Sequence, residues 1–427
     1  MFRMFFLLFL YTTCTLAAVF SNDEVAQLRQ NFFANFLANG AIVASPSKQD
    51  PDYYYDWVRD SAIAMDLITT WYEQSHQQKY KDYLYHYVTW TEAIQHQLPV
   101  PGHHILGEPK FYVNGQAYNG PWGRPQNDGP AIRASALIRF AQTMINEGNE
   151  TYVQEHLYNN SLDHTTMGAI KTDLEYIAHH WSDPNFDLWE ESYGHHFFTS
   201  MVQQKALVDG AALARRMHDN AAAAYYEYQA SLISLRLHQH LNPTTHTILA
   251  TLPLHSGPQK PMELDSAIIL GVLRNPQSGV FAPGSLFVHN TVSALHEQFT
   301  QTFPINNQAS GAILFGRYPG DTYDGYSTHG EGNPWFILTA TMAEYYYSLA
   351  LTTPTHQFVK VKEYIEEGDK YLELVKKYAP SMSMAEQINL HTGAQQGAYS
   401  LTWSYVSVLH ALSIREKAEK ILAHSKY

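Results

Sequence analysis

The chain has 427 residues, of which 45% are hydrophobic, 14% aromatic and only 16% charged, and its formal net charge is −13. This composition supplies enough apolar residues for a large core and excludes the low hydrophobicity and high charge of disordered proteins. The acidic balance argues against a nucleic-acid partner, because phosphate binding needs clustered Lys and Arg side chains. With 30 Tyr and 8 Trp, the chain is suited to neutral ligands that carry hydroxyl groups or aromatic rings.

The first residues have the pattern of a secretory signal peptide. A positive charge is followed by an apolar run over residues 4–11, which is too short to cross a membrane as a helix. Ala17 and Ala18 are small residues of the kind found at cleavage sites. We therefore expect residues 1–18 to be a signal peptide, Val19 to begin a secreted chain, and no membrane anchor. The only cysteine lies inside this segment, so the mature chain is expected to have no disulfide and no thiolate ligand.

Helical periodicity dominates the rest of the chain, and strand-like alternation is sparse. Twelve helices are predicted, with starts near residues 23, 60, 80, 130, 165, 196, 219, 264, 284, 334, 356 and 400. The starts of the even-numbered helices follow one another at intervals of roughly 66–70 residues, a period typical of repeated helical pairs. This spacing predicts an all-α fold in which six helical hairpins close into an (α/α)6 barrel with an inner and an outer layer. An open helical array or an irregular bundle is the alternative.

Tryptophan, arginine and carboxylate residues cluster just before the even-numbered helices. In chain order they are Trp57, Arg59, Asp60, Trp122, Arg124, Asp128, Asp187, Trp189, Glu190, Glu191, Arg317, Asp321, Trp335 and Glu386. If the even-numbered helices form the inner ring, the loops that carry these residues meet at one mouth. Function concentrated on loops that a rigid scaffold holds is the expected arrangement.

This set of side chains suits a sugar ligand. Aromatic faces stack on the apolar faces of a pyranose, while arginines and carboxylates hydrogen-bond its hydroxyl groups. Two carboxyl groups on opposite sides of a glycosidic bond suffice for hydrolysis. Glu190 and Glu191 are the first candidates, because a carboxyl group packed against an indole such as Trp189 is desolvated and retains a proton more readily. The alternative is an ordinary acidic helix start.

Motifs for other chemistries are absent or incomplete. Adjacent histidines such as His103 and His104 do not share a helix face and are poor metal chelators. His296 and Glu297 begin a zinc-protease motif, but Thr300 stands where its second histidine would be. No serine-hydrolase elbow, phosphate-binding loop or dinucleotide-binding motif occurs. We expect neither a metal nor a cofactor.

Long motifs at the same loops resemble those of the fungal-type glucoamylases of glycoside hydrolase family 15, from about Asn31 to about Ala411. They are PDYYYDWVRDS at 51–61, LGEPKF at 106–111, WGRPQNDGP at 122–130, DLWEE at 187–191, RYPGDTY at 317–323, GNPWF at 332–336, AEQ at 385–387 and LTWSY at 401–405. The resemblance implies an (α/α)6 catalytic domain over residues 19–427. It also implies an enzyme that hydrolyses starch, glycogen and malto-oligosaccharides from non-reducing ends and releases β-D-glucose with inversion. We expect the protein to be a monomer.

The resemblance further implies a role for each matching residue. Glu190 corresponds to the general acid and Glu386 to the general base, while Asp187 supports the acid side. The remaining correspondences are the terminal-glucose contacts Arg59, Asp60, Leu188, Trp189 and Arg317, the next-sugar contacts Glu191 and Asp321, and the aromatic wall of Tyr53, Trp57, Trp122, Trp335 and Trp403.

Three features depart from the fungal pattern. The segment from Asp321 to Trp335 is longer than in typical fungal members. Gly397 stands near the place where relatives usually carry a serine that supports the base, so Glu386 is expected to ionise at a higher pH here. No linker or starch-binding domain is recognisable after the last helix, and intact granules are therefore expected to be poor substrates.

Two other functional classes compete with hydrolysis. A non-catalytic sugar-binding protein on the same scaffold would need no acid–base pair, so the presence of both Glu190 and Glu386 argues against it. A purely structural helical protein would have no reason to concentrate Trp and Arg in alternate loops.

Overall fold

The structure, a computed structural model, describes residues 16–163, 165–276, 279–308 and 311–424, and helices dominate these ranges. Most of the predicted signal peptide, residues 1–15, lies outside the described residues. Thirteen α-helices occur in the described ranges. They are α1 (Asn22–Phe33), α2 (Val58–Ser75), α3 (Gln78–Gln95), α4 (Gly129–Asn146), α5 (Glu150–Tyr152), α6 (Ala169–His180), α7 (Phe197–Arg216), α8 (Asn220–Gln239), α9 (Ala267–Arg274), α10 (Leu286–Thr302), α11 (Phe336–Thr352), α12 (Phe358–Tyr378) and α13 (Thr402–His424).

Six of these helices form a closed inner ring. α2 contacts α4, α4 contacts α7, α7 contacts α9, α9 contacts α11, α11 contacts α13, and α13 returns to α2. The outer layer consists of α1, α3, α6, α8, α10 and α12, each of which precedes an inner helix in the chain. This arrangement is the predicted (α/α)6 barrel, and each of the twelve predicted starts lies within four residues of an observed one. The short α5 and the π-helical turn after it, Val153–Leu157, were not predicted.

The two layers differ in how their residues are buried. Inner helix α9 begins Ala-Ile-Ile-Leu-Gly-Val, and all six of these residues are buried. Outer helix α12 buries only one stripe, which includes Val361, Ile365, Leu372 and Val375, and its other face is rich in Lys and Glu. An apolar stripe at helical spacing is typical of a helix with one face in solvent, whereas a helix that is apolar all round belongs in the interior. Within the described ranges, no helix combines the length and the apolar character needed to cross a membrane.

Short strands frame one end of the ring. The antiparallel pairs and sheets are β1 (Asp56–Trp57) with β2 (Lys110–Phe111), β3 (Asn185–Phe186) with β4 (Tyr193–His196) and β5 (Thr251–Ser256), and β6 (Gln387–Ile388) with β7 (Gln395–Gln396). β1 runs directly into α2 and β4 directly into α7, while the β6–β7 hairpin precedes α13. These ladders hold the loops before three inner helices, where the sequence motifs lie. Short 3-10 turns lie at Ile105–Gly107, Pro261–Glu263, Gly279–Phe281, Pro304–Gln308 and Thr355–Gln357.

A buried ion pair joins the inner and outer layers. Arg133 of α4 donates two hydrogen bonds to Asp173 of α6, from Nε at 2.8 Å and from Nη2 at 2.7 Å. Gln95 of α3 donates a third, from Nε2 to Asp173 Oδ1 at 2.9 Å. Because both charged side chains are almost completely buried, each depends on the other for compensation of its lost hydration.

Removing one partner of this pair should be costly. Arg133→Met leaves the Asp173 carboxylate buried without its counter-charge and should lower the free energy of unfolding by about 3–5 kcal/mol. Denaturant unfolding followed by circular dichroism measures this difference. Lys370→Met, which removes an exposed ion pair with Glu367, is the control and should change the free energy of unfolding by less than about 1 kcal/mol. Equal effects of the two substitutions would contradict the role assigned to the buried pair.

Candidate active site

A cavity of about 350 Å³ lies at the end of the ring that carries the short strands. Thirteen of the fifteen residues to which the family resemblance gives a role line it: Tyr53, Trp57, Arg59, Asp60, Trp122, Leu188, Trp189, Glu190, Glu191, Arg317, Trp335, Glu386 and Trp403. The other two, Asp187 and Asp321, lie behind lining residues and bond to them. The predicted convergence of loops that are distant in the sequence is therefore confirmed.

Glu190 lies at a tight turn between β3 and β4, where its φ angle is 68°. Its carboxyl group accepts hydrogen bonds from two indoles, Trp57 Nε1 to Oε1 at 2.6 Å and Trp122 Nε1 to Oε2 at 2.7 Å. Arg59 Nη2 donates a third to Oε1 at 3.2 Å. Three donors around one carboxyl group stabilise negative charge on it.

The indole next to Glu190 in the sequence donates its hydrogen bonds to another carboxylate. Trp189 donates its Nε1–H to both carboxylate oxygens of Asp265, at 3.0 and 3.1 Å. The indoles that bond to Glu190 come instead from the loops before α2 and α4, and they present N–H groups. The indole N–H of Trp189 is thus engaged by a residue 76 positions away, and the expected packing of a carboxyl group against its ring stays a prediction.

A buried lysine holds the turn that carries Glu190 and Glu191. Lys260 Nζ donates to Asp187 Oδ2 at 3.2 Å and to Asp265 Oδ2 at 2.6 Å. The other oxygen of Asp187 accepts the backbone N–H groups of Glu191 and Ser192, both at 3.0 Å. Burial acts to raise the pKa of Asp187, but Lys260 and these N–H groups outweigh it and hold the pKa below its ordinary value. Lys260 and Asp265 were not predicted, because no local motif marks them.

Arg59 and Asp60 place two charges side by side in the first turn of α2. Arg59 Nη1 donates to Gln126 Oε1 at 3.0 Å and to Asp128 Oδ2 at 3.1 Å, and its Nε lies 3.7 Å from Asp60 Oδ2. Burial raises the pKa of Asp60 to about 7, although Arg59 acts in the opposite direction. The cavity therefore has a wall of buried, partly compensated charge.

Arg317 is the second guanidinium of the cavity, and Asp321 is bound to it rather than facing the cavity. Asp321 accepts from Arg317 Nε at 2.8 Å and from Nη2 at 2.5 Å, so that both of its oxygens are engaged. The direct sugar contact that the family resemblance implies for Asp321 stays a prediction. Arg317 Nη2 also lies 3.4 Å from Glu191 Oε2. Burial raises the pKa of Glu191, against the influence of Arg317.

Glu386 precedes the β6–β7 hairpin and is only 2% exposed. Its Oε2 accepts from the hydroxyl of Tyr323 at 3.2 Å and from Gln387 Nε2 at 3.4 Å, and the Tyr323 hydroxyl lies 2.9 Å from that of Tyr53. Burial raises the pKa of Glu386 to about 8, while the tyrosine hydroxyls and Arg317 act to lower it. The main cause of the raised pKa is burial, and the expected difference from relatives that carry a serine stays a prediction.

Two glycines bring the segment 321–335 onto the hairpin beside Glu386. A Cβ at Gly397, whose φ is 76°, would lie 2.5 Å from Glu386 Oε2. A Cβ at Gly325, whose φ is 93°, would lie 2.7 Å from Gly397 Cα. Gly397 thus faces Glu386, as the count from Trp403 predicts, but a serine there would collide with the carboxyl group as well as add a hydroxyl. The same segment supplies Tyr323, Tyr326 and Thr328 to the cavity, and these residues were missed.

Four buried polar atoms in the cavity wall have no hydrogen-bond partner among the described residues. They are Arg59 Nε, Glu191 Oε1, Trp335 Nε1 and Trp403 Nε1. Buried polar atoms in folded proteins are almost always paired, so such a group calls for an explanation. Aromatic faces lie beside them, since the ring of Trp189 is centred 5.7 Å from Trp335 and 6.3 Å from Trp403. Donors, an acceptor and apolar faces in one cavity are suited to a ligand rich in hydroxyl groups.

Among the described residues, no group of three or more His, Cys, Asp or Glu side chains is arranged to hold a metal ion.

A family model for glycosyl hydrolases family 15 matches residues 29–413. The chain belongs to glycosyl hydrolases family 15. This family 15 protein is accordingly an enzyme that hydrolyses glycosidic bonds, and the resemblance seen in its motifs is confirmed.

Relatives of this family 15 protein include named glucoamylases. A glucoamylase of Blastobotrys adeninivorans is 33% identical, with 93% of this chain and 71% of the relative covered. A probable glucoamylase of Schizosaccharomyces pombe is 34% identical, with 88% and 85% covered. Among solved structures, a glucoamylase from Saccharomycopsis fibuligera superposes with a TM-score of 0.82 at 28% identity, over 93% of this chain and 95% of the other.

Proposed function

We propose that this protein is a glucoamylase, a glucan 1,4-α-glucosidase that releases glucose from the non-reducing ends of starch, glycogen and malto-oligosaccharides. The names of its relatives support this activity. The observation that carries the proposal is the cavity wall, in which unpaired donors and an acceptor stand between tryptophan faces beside two carboxyl groups. A glucose unit offers hydroxyl groups to the unpaired donors and acceptor, and C–H faces to the tryptophan rings.

The terminal glucose binds between the two guanidinium groups in this proposal. Arg59, Asp60 and Arg317, with the backbone of Leu188 and Trp189, bond its hydroxyl groups. The charges of the guanidinium groups are already compensated by carboxylates on the sides away from the sugar, so that binding does not require new compensation. A chain end fits against this wall, whereas a continuing chain would collide with it, and this accounts for exo action.

Glu190 acts as the general acid and Glu386 as the general base. Glu190 protonates the departing oxygen, and its three donors stabilise the negative charge that the carboxyl group then acquires. Glu386 removes a proton from the attacking water. The two carboxyl groups precede α7 and α13, which lie across the ring from each other. This placement suits an inverting enzyme, in which the carboxyl groups are roughly 6.5–9.5 Å apart and leave room for a water molecule.

The electrostatics alone would also suit the opposite roles, with Glu386 as the general acid and Glu190 as the general base. The pKa of Glu386 is raised to about 8 by burial, which favours a proton there, whereas Glu190 is surrounded by donors. We prefer Glu190 as the acid because the shortened chain departs toward solvent. The group that protonates the departing oxygen must therefore lie nearer the opening, and the side chain of Glu190 is 16% exposed while Glu386 is 2% exposed.

We also propose that residues 1–18 direct export and that residues 19–427 form the catalytic domain, which acts as a monomer. The carbonyl of Val19 accepts a hydrogen bond from Lys376 Nζ of α12 at 3.0 Å. The proposed mature N-terminus is thus fastened to the outer layer of the barrel.

The reaction itself can be tested on defined substrates. The protein should release glucose from maltotriose and soluble starch, and the first glucose to appear should be the β-anomer, because an inverting displacement reverses the α-configuration. Proton NMR during the first minutes follows the anomer before mutarotation. Release of α-glucose would contradict inversion. Binding of maltotriose without any glucose release would support the sugar-binding alternative instead.

The roles of the two carboxyl groups can be separated by the leaving group. Glu190→Gln should lower the turnover of maltose at least about 100-fold, because the amide cannot donate the proton. Its loss with α-D-glucosyl fluoride should be much smaller, because fluoride departs with little need of a proton. Glu386→Gln should lower the turnover of both substrates at least about 100-fold, because the attacking water loses its base.

Glu191→Gln is the matched control for these variants, since it changes the adjacent carboxyl group. It should weaken substrate binding more than turnover, because Glu191 contacts Arg317 rather than either proposed catalytic group. If Glu386→Gln and not Glu190→Gln retained activity on the fluoride, the acid and base would be exchanged. Normal turnover in a folded Glu190→Gln variant would make Glu191 the next candidate for the acid.

The pH dependence of kcat/KM should reflect the pKa of Glu386, the proposed base. Because Glu386 must be ionised and burial raises its pKa to about 8, the acidic limb of kcat/KM should lie well above the ordinary glutamate value of about 4.3. The Tyr323 hydroxyl lowers this pKa by its hydrogen bond. Tyr323→Phe should therefore move the acidic limb further up, by somewhat less than one pH unit for a bond worth about 1 kcal/mol.

Tyr399→Phe is the control for this shift, since the Tyr399 hydroxyl donates to the carbonyl of Pro46 and not to Glu386. Its acidic limb should coincide with that of the unmodified protein. An unmoved acidic limb in a folded Tyr323→Phe variant would show that this hydroxyl does not influence the ionised base.

A further inference from the structure

Lys110 lies in a cage of four aromatic rings behind the cavity wall. Its Nζ is 3.2 Å from the ring centre of Trp122, 4.2 Å from that of Tyr118, 4.4 Å from that of Trp57 and 4.6 Å from that of Tyr55. The residue is only 2% exposed and does not line the cavity. A cation this close to the faces of aromatic rings is attracted to them, and most strongly where water is excluded.

The backbone fixes Lys110 and the rings around it. In the β1–β2 ladder Lys110 is paired with Trp57, directly before α2. The carbonyl of Lys110 accepts the backbone N–H of Tyr118 at 3.1 Å. Arg124 donates to the carbonyl of Trp122 at 3.3 Å and also to that of Tyr118. The cage is therefore assembled before a substrate binds, and binding requires little ordering of it.

Two rings of the cage are the indoles that bond to Glu190. Trp57 Nε1 and Trp122 Nε1 donate to the two oxygens of its carboxyl group, at 2.6 and 2.7 Å. A cation on the face of an indole draws electron density from the ring and makes the N–H group at its edge a stronger donor. Lys110 thus contacts the faces of both rings, while Glu190 accepts from their edges.

The charge of Lys110 is coupled to that of Glu190. Burial lowers the pKa of Lys110 to about 8, while Glu190 and Asp52 act to raise it and Arg124 acts to lower it. Glu190 and Asp52 act through their charges, and among the described residues neither is hydrogen-bonded to the ammonium group. Because attraction between two charges is mutual, the ammonium group favours the ionised form of Glu190 in turn.

We propose that Lys110 is a positioning residue for the general acid, which holds the indoles of Trp57 and Trp122 against Glu190 and stabilises, through them, the carboxylate that Glu190 becomes. The proton passes from the Glu190 carboxyl group to the oxygen of the breaking C–O bond, and the electron pair of that bond stays on the departing oxygen. Lys110 exchanges no proton with the substrate. The inference rests on the proposed function, since it takes Glu190 to be the acid.

The test compares a substrate that needs the acid with one that does not. Lys110→Met keeps an apolar stem in the cage but removes the charge. The ratio of kcat/KM on maltose to kcat/KM on α-D-glucosyl fluoride should then fall about 10–30-fold, the size expected for loss of a desolvated cation beside the rings. A lysine that only filled space would change both values together. Lys171→Met is the matched control, since Lys171 is 1% exposed and is bonded to Asp219, and it should leave the ratio unchanged.

Lys110→Arg keeps the charge and should keep the ratio, although its larger head group lowers both values. An unchanged ratio in a folded Lys110→Met variant would overturn the inference. A fall as large in Lys110→Arg as in Lys110→Met would overturn charge as its basis. If circular dichroism shows that Lys110→Met is unfolded, Lys110→Gln removes the same charge and replaces it in the comparison.

Combining Lys110→Met with Glu190→Gln separates this inference from the proposed function. Because Lys110 acts through Glu190, adding Lys110→Met to Glu190→Gln should lower kcat/KM on maltose by less than about 2-fold further. A further loss as large as that in Lys110→Met alone would overturn action through Glu190. An unchanged ratio in Glu190→Gln alone would instead reject Glu190 as the acid, and with it the proposed roles of the two carboxyl groups.

Discussion

The contact between α13 and α2 closes the inner ring, and the geometry of the cavity depends on it. In an open array, the loops before successive helices would lie along a line, and the first and last of them would be far apart. Closure instead brings the loop before α2 against the segment before α11, so that the hydroxyl groups of Tyr53 and Tyr323 lie 2.9 Å apart. Burial of apolar side chains, as along α9, contributes most to holding the layers together, because the hydrophobic effect is the main force in folding.

The cationic side chains around the cavity are paired with carboxylates, several of which do not line the cavity. Arg317 is paired with Asp321, Arg59 with Asp128, and Lys260 with two aspartates. A buried charge without a partner would cost several kcal/mol, on the order of 3–5 for a broken pair. Much of this compensation comes from Asp128, Asp321 and the two aspartates at Lys260, which do not line the cavity, while atoms of its wall such as Trp403 Nε1 have no hydrogen-bond partner among the described residues. The rigidity of the site and its capacity for a polar ligand therefore have the same origin.

The period of the helices and the identity of the cavity loops could be predicted from the sequence, because both are local patterns repeated along the chain. The direction of individual side chains could not. Trp189 bonds to Asp265, and Asp321 is taken up by Arg317, because pairing across the fold decides where such groups point. Lys260 has no motif around it, and only the folded chain shows that it holds the turn of Glu190. Tyr323 stands inside a motif that the sequence analysis quoted, but its bond to Glu386 depends on the course of a long segment.

The backbone contact between Gly325 and Gly397 restricts how this enzyme can change. Both residues have positive φ angles, and neither has room for a Cβ. A Cβ at Gly325 would meet the backbone of Gly397, and a Cβ at Gly397 would meet the side chain of Glu386. Substitution of either glycine therefore affects the surroundings of the proposed base.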